Sequence, residues 1–383
     1  MTITFFSNFL NDHQLPLCQA MMEQIGVNNF RFVALQQIDP ERVAMGFTDM
    51  NEIYPFVVQA YKGGKAFDEA AALMLASDIV IIGSDRGMPY DERIKSGKLT
   101  FRYNERLLKH GDWRALDPRV QMGVYRKFGK YKGEKYPFYV LCASAYTSRD
   151  LRLFGFPKSK CIKWGYFPIV KEFSDIDELI KEKESNNTLS ILWAGRFIDW
   201  KHPEIPVQIA KRLKSDHIQF QLNMIGMGDM FDAIKKMIDN EGLSDCVRLL
   251  GAMPPADVRS HMEKANIFLF TSDKGEGWGA VLNESMNSAC VVVADDSIGS
   301  VPFMLRDGVN GFTYHKGNTV EMYKKLMLVV GDKPLRQRIG ADAYRTMTNF
   351  WNARVAVGRF LKMVNDYQGL LNVTENYGPC SKL

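Results

Sequence analysis

Two glutamates, Glu276 and Glu284, stand eight residues apart in KGEGWGAVLNE (274–284), and glycines flank the first of them. Glycines crowding a carboxylate mark a backbone that bends tightly or comes close to a ligand. Eight residues of helix turn about 80° beyond two full turns and rise about 12 Å, so the pair cannot act on one atom as acid and base. They are spaced to grip separate parts of one elongated ligand. A carboxylate accepts hydrogen bonds from two hydroxyls, which suits a sugar ring or a ribose diol. Gly277 and Gly279 leave amides near the helix start, fit for a phosphate lying between the two acids. Upstream, GRFIDWK (195–201) sets Gly195, Arg196 and Lys201 at a strand-to-helix turn, where cations and helix amides together can hold a phosphate. Gly226-Met-Gly228 follows another apolar run. It has half of a dinucleotide fingerprint, with Phe231 in place of the third glycine, and reads as a tight turn that lets a ligand or a neighbouring loop come near.

Short apolar runs alternating with amphipathic stretches must position these residues, a pattern of βα units around parallel sheets. In the first half, strands are expected at ITFF, FRFVAL, DIVIIGS, LTFRY and YVLCAS. A helix is predicted from Leu15 to Ile25, with Asn11-Asp12 to cap its amides and Pro16 in its first turn. The charge-rich segment KEFSDIDELIKEKESNNTLS reads as a linker. Beyond it come SILWAG, FQLNMIG, VRLLG, NIFLFTS and VVVAD, continuous apolar strands of the kind covered on both faces. The expected class is α/β, with two Rossmann-like doubly wound parallel-sheet domains facing across a cleft. Residues 1–170 form the first, 171–188 the linker and 189–350 the second; a helix at 351–370 crosses back to the first, and 371–383 is a tail. Ligands of open α/β sheets bind outside the carboxyl ends of the strands.

Of the 383 residues, 46% are hydrophobic, and the net charge is +5. That composition excludes a disordered chain and suits two domains. Six scattered cysteines offer no CxxC pair and no zinc spacing, so free thiols and no metal are expected. The start, MTITFFSNFLND, has neither a basic leader nor a small-residue cleavage site. No run is long enough to span a bilayer. A cytoplasmic protein is therefore expected. Cations concentrate between Arg86 and Lys163, with aromatics among them in VYRKFGKYKGEKYPFY. Such a surface attracts anionic lipid or phosphate-bearing substrates. No nucleic-acid reading motif accompanies it.

GRFIDWK, IGMGD, VRLLGAMPPADV, ANIFLFTSDKGEGWGAVLNESMNSACVVVAD and DGVNGF resemble, in order and spacing, the nucleotide-sugar domain of retaining glycosyltransferases of the GT-B fold, family 4. The match covers roughly residues 188–350. FFSNFLNDHQLPLCQAM and ASAYTSRDLRLFGFPKSKCIKWGYF look like the acceptor domain of related capsule or lipopolysaccharide enzymes. The resemblance implies that Arg196 and Lys201 bind the donor diphosphate. Glu284 holds the ribose, and Glu276 with Gly277, Trp278 and Gly279 holds the transferred sugar. The base lies near Leu249, Gly251 and Met253, and Gly195, Gly226 and Gly228 line the donor site. Glu276, Arg196 and Lys201 are the catalytic candidates.

The sequence departs from that pattern in places. Trp278 stands where relatives often have Phe, and Ala289-Cys290-Val291 replaces Gly-x-Pro. The first-strand loop lacks the usual glycines, leaving Asn11 and His13 as side-chain contacts. The neighbourhood of a first-domain histidine reads RYNERLLKH, with Arg102, Glu105, Arg106 or His110 as stand-ins. The implied reaction is sugar transfer from a nucleotide-sugar, UDP-sugar ahead of GDP-sugar, to a saccharide or lipid-linked acceptor, without cofactor or metal. An anionic inner-membrane surface is a further expected partner. A nucleotide-sugar epimerase and a non-catalytic nucleotide-sugar-binding subunit are the alternatives.

Overall fold

Apolar runs too continuous to have a solvent face become parallel strands here. The structure, a computed structural model, describes residues 1–39, 48–186, 188–369 and 371–383. Its contacts divide the chain into two units, Met1–Ile169 with Asn352–Leu383, and Val170–Trp351.

The first unit holds β1 (Ile3–Ser7), β2 (Phe30–Ala34), β3 (Val57–Gln59), β4 (Ile79–Ile82), β5 (Thr100–Asn104), β6 (Phe138–Cys142) and β7 (Cys161–Lys163). They form a parallel sheet of order β3-β2-β1-β4-β5-β6-β7. All five residues of β1 and of β6 are buried, as strands covered on both faces require. The helix Leu15–Ile25 forms with Pro16 in its first turn, but its N-cap is Gln14, without a side-chain cap. Asn11 instead turns the chain: its side-chain oxygen accepts from the His13 amide at 3.0 Å and its carbonyl from Gln14 and Leu15 at 2.9 Å. An Asx-type turn has taken the oxygen expected to cap the helix. The helix Ala353–Asn365 packs on Leu15–Ile25 within this unit, and Phe360 meets Phe101 edge-on at 4.9 Å.

The second unit holds β8 (Leu189–Ala194), β9 (Phe220–Ile225), β10 (Val247–Gly251), β11 (Ile267–Phe270), β12 (Val291–Asp295) and β13 (Phe312–Tyr314), ordered β10-β9-β8-β11-β12-β13. Trp193, Leu222, Met224, Leu269 and Val293 fill one core cluster with helix residues such as Val207, Leu213 and Leu326. The segment read as a linker contains the helix Ile176–Lys183, whose first amides are capped by Asp175. Two charges of the segment, Lys183 and Glu184, are buried with partners. Lys183 donates to the Met262 and Ser288 carbonyls, and Glu184 is gripped by Arg336 at 2.9 and 2.6 Å. A bidentate Arg–carboxylate pair of this geometry fixes an otherwise polar stretch to the core. All six cysteines are free. No described helix is long and apolar enough to cross a membrane.

Candidate functional site

The strand order of each sheet reverses once, between β1 and β4 and between β8 and β11. A crevice outside the strand ends at such a point is where open α/β sheets take ligands. In the second unit, Gly195 follows β8 and Thr271 follows β11, and the candidate residues hang from these two ends.

The β8 loop is held by backbone. Phe197 donates to the Met227 carbonyl at 2.9 Å and accepts from Met230 at 2.9 Å. A Cβ on Gly226 would stand 1.9 Å from the Gly195 carbonyl oxygen, and one on Gly228 would stand 2.5 Å from that of Phe197. The two glycines therefore let one loop lie on another. Trp200 carries both cations: the Arg196 guanidinium lies 5.8 Å and the Lys201 ammonium 4.7 Å from its ring centroid. Arg196 is exposed, whereas Lys201 reaches inward and pairs with Glu276.

The β11 loop is tied to the same turn. Thr271 accepts from the Trp193 indole at 2.9 Å and donates to the Lys201 carbonyl at 2.8 Å. Asp273 donates its amide to the Trp200 carbonyl at 3.0 Å. Ser272 Oγ bonds Glu276 Oε2 at 3.1 Å, the oxygen that also meets Lys201. Both contacts fall on Oε2, so Oε1 is left for a hydroxyl donor. Gly279, at φ 85°, has no space for a side chain, since a Cβ would stand 2.4 Å from the Phe270 ring. Trp278 is fully buried, with its indole donating to Asn283 at 2.9 Å and its ring 5.8 Å from Trp351. Its side chain packs the floor of the loop, which restricts any ligand role to its backbone.

Glu284 is half-buried in the helix Val281–Asn287. Burial pushes the nearby Arg259 guanidinium down, and the charges of Glu284 and Glu263 push it back up. Leu249, Gly251 and Met253 lie half-buried at and beyond the end of β10, where Gly251 accepts from the Gly226 amide at 2.8 Å. Lys201 and Glu276 thus pair between the β8 turn and the β11 loop, Arg196 shares the Trp200 ring with Lys201, and Gly226 and Gly251 are joined by their backbones.

Sequence reasoning missed His202. It adopts a left-handed conformation, φ 51°, with Nδ1 2.9 Å from Glu204 and Nε2 3.5 Å from Asp273. The Asp273 and Glu204 carboxylates raise its pKa to about 10. It clips the Lys201 turn to the Glu276 loop, and a non-glycine residue at positive φ costs energy that surrounding structure must repay. The only sequence signal was its position directly after Lys201. Trp200 and Arg259 were missed as well.

In the first unit a cavity of about 410 Å³ opens at the ends of β1, β4, β5 and β6, lined by Ser7, Asn11, Gly83, Glu105, Arg106 and Tyr166 among others. Glu105 accepts from the Tyr166 hydroxyl at 2.6 Å and pairs with Lys109 at 2.5 Å. The His13 ring stacks on Tyr166 at 5.9 Å. Arg106 lies 4.6 Å over the Tyr146 ring and 3.8 Å from Asp150. Asp150 is wholly buried, which pushes its carboxyl up, while the Leu108 amide, Arg106 and the Leu107 amide act against the shift. Arg102 turns elsewhere, pairing with Asp85 at 3.0 Å and lying 5.9 Å over Phe128. His110 is exposed, and its carbonyl accepts from the Trp113 indole.

Residues 175–346 match the family model described as Glycosyl transferases group 1. Among curated relatives, an uncharacterised glycosyltransferase of Methanocaldococcus jannaschii is 28% identical over 39% of this chain and 41% of its own length. The amylovoran biosynthesis glycosyltransferase AmsK of Erwinia amylovora is 29% identical over 34% and 33%. The lipopolysaccharide core biosynthesis glycosyltransferase LpsE of Rhizobium meliloti is 25% identical over 45% and 49%. The chain thus spans less than half the length of these relatives. Anabaena HepE, solved in complex with UDP, shares the fold with a TM-score of 0.72 at 15% identity, covering 96% of this chain and 100% of that one. The lipopolysaccharide outer core galactosyltransferase WaaB gives 0.63 at 17% identity, over 91% and 98%. The fold of the chain is that of two Rossmann-like parallel-sheet units with GT-B neighbours, and the family these likenesses support is Glycosyl transferases group 1.

Proposed function

We propose that this chain is a glycosyltransferase that moves a sugar from a nucleotide-sugar, UDP-sugar ahead of GDP-sugar, to a saccharide or lipid-linked saccharide acceptor, in the making of surface polysaccharide. The carrying observation is Lys201 paired with Glu276 while Arg196 and Lys201 share the Trp200 ring, at the strand-order reversal of the family-matched segment. Arg196 and Lys201 meet the diphosphate. Glu276 Oε1 accepts from a sugar hydroxyl, and Glu284 accepts from the ribose. The amides of Gly277 to Gly279 lie against phosphate or sugar, and Leu249, Gly251 and Met253 bracket the base.

The anomeric C–O bond to phosphate breaks as the acceptor oxygen bonds to the same face of the sugar, and the acceptor proton passes to the departing phosphate oxygen. Configuration is retained. The growing charge on the leaving diphosphate is the main electrostatic problem, and preorganised cations at a partly desolvated turn oppose it directly. Lys201 is paired with Glu276 until a diphosphate arrives. No metal or cofactor takes part in this scheme. In the first unit, Asn11, His13, Glu105 and Arg106 are the acceptor contacts, a reading supported by the polar cavity that Asn11, Glu105 and Arg106 line and by the His13 ring stacked on Tyr166 in its wall. The protein works in the cytoplasm, at the inner face of the plasma membrane.

A thermal-shift panel of UDP, GDP, ADP and CMP, followed by their sugars, selects the donor. Transfer is then assayed with Glu276→Ala and Arg196→Ala, each shown to be folded. The proposal expects both to lose transfer, the product of the wild type to keep the donor's anomeric configuration, and no sugar product without acceptor. Full activity in both variants ends these role assignments, and epimerised sugar from donor alone points to the epimerase.

A further inference from the structure

Large apolar side chains are normally scattered singly over a surface, but four gather in one short stretch of the first unit. Trp113 is 67% exposed, Leu116 79%, Met122 51% and Tyr125 58%. Trp113 and Leu116 are three residues apart in the 3₁₀ turn Asp112–Leu116, and side chains three apart in such a turn eclipse one another. Met122 and Tyr125 lie on the helix Pro118–Lys127, whose Val120 and Val124 turn inward with Phe128 behind them. At about 100° per residue, Met122 lies about 160° around the helix axis from Val124, on the face turned outward.

Cations surround these residues. Arg119, Arg126 and Lys127 are exposed, and Arg114 lies 5.9 Å over the Trp113 ring. None of the four has an ion pair among the described residues, while the neighbouring acids are engaged. Asp112 is paired with Arg149, and Asp117 accepts from the Arg119 amide at 2.8 Å as the helix cap. The turn packs against the helix, so four exposed apolar side chains lie on neighbouring elements among cations that have no ion pair among the described residues.

We propose that this face, Trp113, Leu116, Met122 and Tyr125 with Arg114, Arg119, Arg126 and Lys127 around them, docks on an anionic lipid surface. Aromatic and aliphatic tips enter the headgroup boundary while arginines bind lipid phosphate, the division of labour of an interfacial amphipathic element. A protein partner with a matching acidic rim would need an apolar socket of its own; a bilayer supplies both parts. The inference rests on the reading of the first unit as facing an anionic membrane, and not on the transfer reaction.

Full-length protein is sedimented with phosphatidylcholine vesicles, with and without phosphatidylglycerol, at low and high salt. The wild type is expected to bind only the anionic vesicles and to be released by salt. Arg119→Glu with Arg126→Glu should weaken binding on the order of a hundredfold. Trp113→Ser with Leu116→Ser should abolish it, with the melting temperature and transfer to a soluble acceptor unchanged. If the wild type binds no vesicles, the membrane reading falls while the sugar-transfer reading stands or falls by its own assay. If wild type and variants bind alike, this face is not the docking surface. If sedimentation velocity shows a concentration-dependent dimer that the Trp113 and Leu116 changes dissolve, with no vesicle binding, a second copy covers the face and the proposal is overturned.

Discussion

Strand order reverses between β1 and β4 in the first sheet and between β8 and β11 in the second, yet the two positions are built from different materials. In the second unit, backbone approaches backbone. Gly226 and Gly228 are required because the Gly195 to Phe197 carbonyls occupy the space of a side chain, and Gly279 because the Phe270 ring does. In the first unit, side chains do the work. The cavity wall includes Asn11, the adjacent Glu105 and Arg106, and Tyr166, polar groups from three stretches far apart in sequence. A site of the first kind tolerates one residue type at each constrained position. A site of the second kind can be rebuilt from many.

If that contrast is right, damage to the second unit should be severe. Glu276→Ala and Lys201→Ala each remove a group that the proposed function sets against the sugar or its diphosphate, and turnover should fall by about 100- to 1000-fold with the fold retained by circular dichroism. Loss of less than about threefold would break the comparison at its strongest point. Next in size, Gly226→Ala forces apart two loops with a Cβ 1.9 Å from a carbonyl oxygen. Overpacking with positive-φ strain should cost about 1–3 kcal/mol, read as an earlier urea midpoint.

The first unit should respond more gently. Tyr166→Phe removes a hydroxyl that donates to the Glu105 carboxylate at 2.6 Å, and a bond to a charged group is worth about 1.5–3 kcal/mol. The acceptor KM is expected to rise about tenfold while donor affinity holds. A matching loss of donor affinity would mean that the cavity serves the donor. The smallest effect concerns the clip between the two loops. His202 has its pKa raised to about 10 by Asp273 and Glu204, above an unfolded value of about 6.5. Its contribution to stability is complete below about pH 6.5, declines as pH rises, and is gone above about pH 10. His202→Gln should flatten that part of the stability curve. An unchanged slope would remove His202 from the account.

The same contrast explains what could be read from the residues alone. GRFIDWK and KGEGWGAVLNE were legible because steric constraint leaves few choices of residue, and their loops do converge at β8 and β11. The apolar strands were legible too, except β3, β7 and β13, each of three residues, too short for any periodicity. Lys183 and Glu184 looked like solvated linker charge because burial beside Ser288 and Arg336 is a tertiary event. Among Arg102, Glu105, Arg106 and His110 nothing in the order of residues separates cavity wall from buried ion pair. That distinction depends on Asp85 and Tyr166, 17 residues before Arg102 and 61 after Glu105.

The central claim is that the Lys201 turn and the Glu276 loop hold the diphosphate and the sugar of one nucleotide-sugar. Calorimetric titration of wild type, Glu276→Gln and Arg196→Ala tests it, using the nucleoside diphosphate selected by the thermal-shift panel and its sugar conjugate. The account predicts that Glu276→Gln binds the diphosphate as the wild type does but loses the added affinity for the sugar, and that Arg196→Ala weakens both. Equal affinities for both ligands in all three proteins would contradict it.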